Sequence, residues 1–286
     1  MNSHLLTLHT RTPLHLGCGT SVDVIDLPLM RERITHFPVL PGSSLKGVLR
    51  DRARQLLPDD FRALFGNENS DKKEDGKVDS YAGCVQIMEA KLLAFPVRSL
   101  AGCFAWLTCP LALDRFQRDT GKSFAFPKPE QDKVVAGSDL LIKDQVVFEE
   151  YALGTQQGDL KPVVEALTPL VADKFWKDNL GKRLAIVHDD NFQHFVTTCT
   201  EVVARIAIDS ETRTVKKGGL FNQENLPCES VFYTVLATTP VRRQGQNGFD
   251  PSAKLGELFK DNPILQIGGD ETTGHGLCST FTEILP

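Results

Sequence analysis

Three blocks of this 286-residue chain carry residue types and spacings able to do chemistry. The first is Leu14-His-Leu-Gly-Cys-Gly-Thr-Ser-Val-Asp-Val-Ile-Asp-Leu-Pro28. Asp26 sits there among the apolar neighbours Val24, Ile25, Leu27 and Pro28. A carboxylate in such a setting can hold a divalent cation or orient a ribose 2′-hydroxyl against the adjacent phosphate. A lone loop aspartate is also a common Asx-turn residue, and Asp23 is a rival for the same role. His15 can act as acid, base or anchor beside a phosphate, although its residue type alone fits a buried histidine equally well.

The second block is Leu40-Pro-Gly-Ser-Ser-Leu-Lys-Gly-Val-Leu-Arg50. Its glycine permits close backbone approach, and Ser43 or Ser44 can cap a helix. The helix N-terminus offers unpaired N–H groups to a phosphate. Lys46, Arg50 and Arg54 follow at four-residue steps and form one cationic line. An ordinary capped helix with a solvated basic face has the same pattern. The third block, Gly268-Gly-Asp-Glu-Thr-Thr-Gly-His-Gly276, has four glycines in nine residues. Its amides could form an anion-binding concavity, or simply a tight turn. It is neither a Walker A sequence nor a dinucleotide fingerprint.

The elements that must position these blocks follow from periodicity. Leu5 to Thr10 alternates as an opening strand. Arg11 to Pro41, punctuated by Pro13, Gly17, Gly19, Pro28, Pro38 and Pro41, reads as a long structured loop, and such loops are usually functional. A helix over 42–57 ends at Pro58. Residues 67–79 read as a polar insertion and 120–160 as an irregular insertion with strands near Val134 and Val146. Helical patterns cover 111–118, 160–179 with a break at Pro169, 190–197 and 252–260. Strands are expected at 83–99, 102–109, 184–188, 202–209 and 230–238, with a final strand reaching Phe281. The last two long strands frame an excursion over about 209–228 that reads as a projecting hairpin. The order implies an α+β fold with a ferredoxin-like or RRM-like core in a single domain over 1–286.

Composition sets outer bounds. The chain is 41% hydrophobic and 24% charged, ordinary for a globular protein. A net charge of −5 argues against a protein that coats polyanions indiscriminately, but leaves room for local basic stripes. The seven cysteines are scattered without a CxxC pair, so reduced thiols are expected rather than a disulfide framework or zinc site. No apolar run approaches a bilayer span and no signal peptide is evident, which makes the cytoplasm the expected location. No nucleophile–base pair or cofactor motif supports a small-molecule enzyme.

The three blocks together, in this order, resemble the RAMP superfamily of CRISPR proteins, and within it the repeated backbone subunit of type III-B (Cmr) effector complexes. The resemblance implies an RRM-like core with a thumb and several copies stacked head-to-tail along one CRISPR RNA. It further implies target single-stranded RNA as substrate, other subunits of the complex as partners, and no membrane. It implies that Ser43, Ser44, Lys46 and Arg50 contact the guide backbone, that Gly268, Gly269 and His275 face RNA or pack the core, and that Arg213, Lys216 and Lys217 of the thumb grip phosphates. Asp26 is the implied cleaving residue, aided by a divalent ion, Mg2+ or Mn2+, with His15 and Glu224 as further catalytic groups. The family's aromatic run before Leu-Pro is here Phe221-Asn-Gln-Glu-Asn225. Asn225 therefore stands where the family has a tyrosine-like residue, and no aromatic hydroxyl is expected to assist. Two alternatives remain at this stage: a non-cleaving RNA-binding scaffold, and a metal-independent precursor-processing endonuclease with His15 as general base.

Overall fold

Leucines buried on both faces build the first strand. In Asn2–Thr10, Leu6 and Leu8 enter one apolar cluster and Leu5 another, as a strand buried on both faces requires. The computed structural model describes residues 2–20, 25–67, 81–242, 248–260 and 263–286. The expected insertion at 67–79 lies almost wholly outside these residues, as does Asp23.

In chain order the elements are β1 (Asn2–Thr10), β2 (Val39–Leu40), α1 (Gly42–Leu56), α2 (Phe61–Phe65), β3 (Val85–Ile87), β4 (Ala90–Arg98), β5 (Phe104–Thr108) and α3 (Pro110–Thr120). They continue with β6 (Lys133–Ala136), β7 (Gln145–Phe148), β8 (Tyr151–Thr155), α4 (Lys161–Leu167), α5 (Lys174–Arg183), β9 (Leu184–Val187) and α6 (Asp189–Thr198). The last are β10 (Glu201–Ile208), β11 (Val215–Asn225), β12 (Val231–Thr238), α7 (Pro251–Lys260), β13 (Ile264–Gln266) and β14 (Leu277–Ile284).

One twelve-stranded sheet runs β13-β14-β1-β12-β4-β5-β9-β6-β8-β7, with β2 added to β4 and β3 to β12. Its centre, β14-β1-β12-β4, is antiparallel throughout. Helices cover both faces. Leu45 and Leu49 of α1, Phe192 of α6 and Leu255 of α7 pack on one side. Leu113 and Phe116 of α3, Val163 of α4 and Trp176 of α5 pack on the other. All eight residues of β12 are buried, which places the expected strand at 230–238 in the heart of this sheet. The α+β class read from the sequence is the class observed.

The strands expected near Val134 and Val146 are present as β6 and β7, and with β8 they extend the main sheet beyond β9. The segment from Arg11 to Pro41 is clipped by isolated bridges, Leu14 to Leu226, Gly17 to Leu29, Leu27 to Gln223 and Arg31 to Pro38. The hairpin is framed differently than expected. β10 pairs with β11, not with β12, as a separate two-stranded ribbon turning at Asp209–Thr214. Lys216-Lys-Gly-Gly219 reads as loop because glycine and lysine are poor strand formers. Here the register shifts between Ile206 and Ile208. Gly219 backs onto that irregularity, where a Cβ would lie 3.0 Å from the Ala207 carbonyl oxygen. A bulge of this kind favours glycine.

Candidate active site and nucleic-acid interface

The site is organised by the base of β11. Two stretches of the long loop are stitched to it. Leu14 and Leu226 exchange backbone hydrogen bonds of 3.0 and 2.8 Å. The Leu27 amide donates to the Asn222 carbonyl at 3.0 Å, and the Glu224 amide to the Leu27 carbonyl at 3.0 Å. Gly17 and Leu29 bridge the two stretches to one another. A loop rich in proline and glycine thereby acquires the rigidity that a catalytic group needs.

Asp26 and His15 are each tied to this strand. The Asn222 amide donates to Asp26 Oδ2 at 2.7 Å, which fixes the carboxylate and leaves Oδ1 with no partner among the described residues. His15 Nδ1 lies 2.7 Å from the Glu224 carbonyl oxygen. A carbonyl only accepts, so Nδ1 carries a proton, and the tautomer this selects has Nε2 as its acceptor. Nε2 lies over Gly17, where an added Cβ would approach it to 2.7 Å. The two anchoring residues on β11 are two apart, about 7 Å along a strand. Asp26 also lines a cavity of about 340 Å³ with Thr20, Leu27, Gly218, Leu220 and Phe221. Its walls are apolar apart from Thr20 and Asp26, and they lie between the loop and the ribbon.

Glu224, expected to be a catalytic acid, is placed differently. It is buried, and each oxygen is engaged. Oε2 accepts from the Leu29 amide at 2.8 Å, while Oε1 accepts from Arg31 at 2.5 Å and from Thr200 Oγ1 at 2.7 Å. Arg31 in turn donates to the carbonyls of His36 and Val196, both at 2.9 Å. A carboxylate so enclosed holds the loop to β11 and does not face a substrate.

The basic helix starts as expected but is not capped as expected. Its N-cap residue is Pro41, and no side chain caps it. Ser43 is exposed, Ser44 is half-buried, and Lys46 is exposed, so these three groups lie at an uncapped helix N-terminus. Gly42 is required by packing, since a Cβ there would lie 2.6 Å from the Ile87 carbonyl oxygen. Arg50 leaves the expected cationic line: its guanidinium donates to the Gly66 carbonyl at 3.2 Å. Arg54 pairs with Asp51 at 2.9 Å.

The glycine-rich loop is a brace, not an open nest of amides. The Gly269 amide donates to the His15 carbonyl at 3.0 Å and that of Gly276 to Pro13 at 2.8 Å. Those of Thr273, Gly274 and His275 close turns within the loop. Gly268 has φ +85°, and a Cβ would stand 2.1 Å from the His15 carbonyl oxygen. Of the two roles expected for Gly268 and Gly269, facing RNA or packing the core, these contacts favour packing. Replacing Gly268 by Ala should lower stability by about 2 kcal/mol or more, read as a fall in thermal midpoint. An unchanged midpoint would show that the approach to His15 is relaxed. His275 is likewise occupied, with Nε2 3.1 Å from Arg205 and Nδ1 3.1 Å from Thr273 Oγ1.

At the ribbon tip Arg213 is exposed in a left-handed conformation, φ 57°, and Lys216 is exposed on β11. The side chain of Lys217 lies outside the described residues. Val202, Ile206 and Ile208 of β10 and Val215 and Leu220 of β11 are exposed, so the ribbon presents apolar groups as well as cations.

The donor set limits what metal this site can hold. Among the described residues no three His, Cys, Asp or Glu side chains cluster as ligands. Asp26 can supply one carboxylate oxygen. Magnesium is commonly bound through one or two carboxylates together with substrate phosphates. The described residues therefore offer a cation one carboxylate oxygen, with its other ligands to come from outside the chain, and form no closed protein centre.

Sequence reasoning missed Arg31, Thr200 and Asp270. Arg31 and Thr200 satisfy Glu224 from distant segments, and no local pattern signals such pairing. Asp270 was visible inside the glycine loop, but its partners, Arg205 and Gln223, lie on the ribbon.

A large mixed sheet carries a separate two-stranded ribbon, with a loop aspartate tied to the ribbon's root. The sequence matches the RAMP superfamily over residues 7–279, and the chain belongs to that superfamily. It is 37% identical to the CRISPR system Cmr endoribonuclease Cmr4 of Pyrococcus furiosus over 287 residues, covering 96% of this chain and 94% of that protein. It is 22% identical to the CRISPR system CMR subunit Cmr4 of Saccharolobus solfataricus, covering 93% and 92%. The crystal structure of oligomeric Cmr4 from Pyrococcus furiosus superposes with a TM-score of 0.75 at 31% identity, covering 100% of this chain and 99% of that one. A chain of the type III-B Cmr-beta complex bound to cognate target RNA shares the fold, with a TM-score of 0.74 at 19% identity over 98% and 96% of the two chains.

Proposed function

We propose that this chain is the repeated backbone subunit of a type III-B CRISPR effector complex and that it cleaves target RNA paired to the guide. Copies stack head-to-tail along one CRISPR RNA, as heterologous contacts between identical subunits allow. Base pairing supplies sequence specificity while the protein holds backbones. Ser43, Ser44 and Lys46 at the uncapped start of α1 take guide phosphates. Changing Lys46 to Ala should weaken guide retention at all sequences alike and reduce the salt slope of binding by about 1, measured by filter binding across a salt series. An unaltered slope would remove Lys46 from the phosphate contacts.

The observation that carries the cleavage reading is the joint tethering of Asp26 and His15 to β11 at the root of the exposed ribbon. The ribbon crosses the guide–target duplex and splays a nucleotide from the stack, so the neighbouring phosphodiester is presented to the cavity beside Asp26. Asp26 Oδ1 accepts the hydrogen bond of the ribose 2′-hydroxyl, aligns it for attack and takes that proton as the 2′-oxygen bonds to phosphorus. His15, fixed through Nδ1, keeps Nε2 open to the water that protonates the leaving oxygen. The bond from phosphorus to the 5′-oxygen breaks, and that oxygen takes a proton from water. The products carry a 2′,3′-cyclic phosphate and a 5′-hydroxyl. A divalent ion held by Asp26 and RNA phosphates would neutralise charge developing on the phosphate.

The test is cleavage of a complementary RNA by the reconstituted complex, with and without EDTA. Cuts at regular intervals that stop on chelation are the expected result. Continued cutting in EDTA favours His15 acting as a general base without metal, and no cutting under any condition leaves a scaffold.

A further inference from the structure

β10 is held to the rest of the molecule at few points. Of its eight residues only Glu201 and Arg205 are less than exposed. Arg205 reaches into the glycine-rich loop, where its guanidinium lies 3.1 Å from Asp270 Oδ1 and 3.1 Å from His275 Nε2. Asp270 Oδ2 accepts from Gln223 Nε2 at 2.7 Å, so one carboxylate grips both strands of the ribbon. Gln223 is buried. Asp270 itself adopts a left-handed conformation, φ 63°, and its carbonyl accepts from the amides of Thr273 and His275. The same loop holds the other side of the site, through the Gly269 amide on the His15 carbonyl and the contact of Gly268 with it. Burial pushes the Asp270 carboxyl up, but the Gln223 hydrogen bond and the charge of Arg205 outweigh that and hold it below the usual carboxylate range.

We infer that Asp270 is a positioning residue for cleavage: by clamping Arg205 and Gln223 it sets the angle of the ribbon over Asp26 and His15. It touches no substrate. The inference rests on the cleavage reading above and names the device that keeps the ribbon and the reacting groups in register. Near-attack geometry is sensitive to displacements on the order of 1 Å, and a ribbon free to pivot about β11 would lose it.

Asp270→Asn isolates the effect, because asparagine tolerates the left-handed backbone and can still accept from Gln223, while losing the charge that holds Arg205. In the reconstituted complex, single-turnover cleavage by this variant should fall about tenfold. Guide content, target affinity and thermal midpoint should stay near wild type. Arg205→Ala should give the same loss, and the double variant no more than either alone, since both remove one contact. Wild-type rates in either single variant would overturn the inference, as would additive losses or a loss matched by reduced target affinity. Absence of cleavage by the wild-type complex would overturn the cleavage reading instead.

Discussion

Asp26→Ala is expected to lower target cleavage by the assembled complex by a factor of about 10² to 10⁴, the range a positioned acid–base group supplies. Guide content and target affinity should not change, because among the described residues Asp26 makes one hydrogen bond, from the Asn222 amide at 2.7 Å, and lines a cavity. Asp26→Asn should behave alike: its amide can still accept from Asn222 but offers neither charge nor a cation ligand. Product ends read on a denaturing gel give the answer directly. Cleavage at the wild-type rate in both variants would move the chemistry elsewhere and leave Asp26 as the Asx-type turn residue its sequence setting also allows.

Glu224→Ala should have the largest effect on stability. The Arg31–Glu224 pair is nearly sequestered, with side-chain exposures of 16% and 4%. Removing the acid leaves the half-buried Arg31 guanidinium with only the His36 and Val196 carbonyls, and the Leu29 amide and Thr200 hydroxyl without their acceptor. Loss of one partner from a buried pair costs about 3 kcal/mol or more, a drop visible in chemical denaturation. Cleavage should fall too, because Glu224 fastens the loop bearing Asp26 to β11. A variant with normal stability and lost cleavage would instead restore Glu224 as a catalytic group. Glu224→Gln should lie between, since its carbonyl still accepts while the charge facing Arg31 is gone.

The fold class was legible because its signals are periodic and local. Leu5 to Thr10, Val231–Thr238 and the α1 pattern announce strand, strand and helix from neighbouring residues. The ribbon was misframed because β10 is exposed along most of its length and has little burial pattern to read, and Gly218-Gly219 looks like a turn until the bulge beside Ala207 is seen. In the site, motif context singled out His15 and Asp26, which the structure ties to β11, and Ser43, Ser44 and Lys46, which it places in the first turns of α1. Arg50 was not, because its direction depends on the carbonyl of Gly66. The buried bonding of Glu224 was not legible, since its partners Arg31 and Thr200 lie 193 and 24 residues away in sequence. The glycine loop shows the same limit. Four glycines fit an anion nest or close packing equally well, and only the approach of Gly268 to the His15 carbonyl decides for packing.

The most direct measurement is a structure of the reconstituted complex with a target RNA bearing 2′-deoxy substitutions at the cleaved positions. The Asp26 carboxylate of each cutting copy should lie within about 4 Å of the substituted ribose or its phosphate, the separation of a near-attack geometry, with the β10–β11 ribbon across the duplex. A carboxylate standing on the order of 10 Å from every phosphodiester, too far for direct or single-water contact, would contradict cleavage by Asp26.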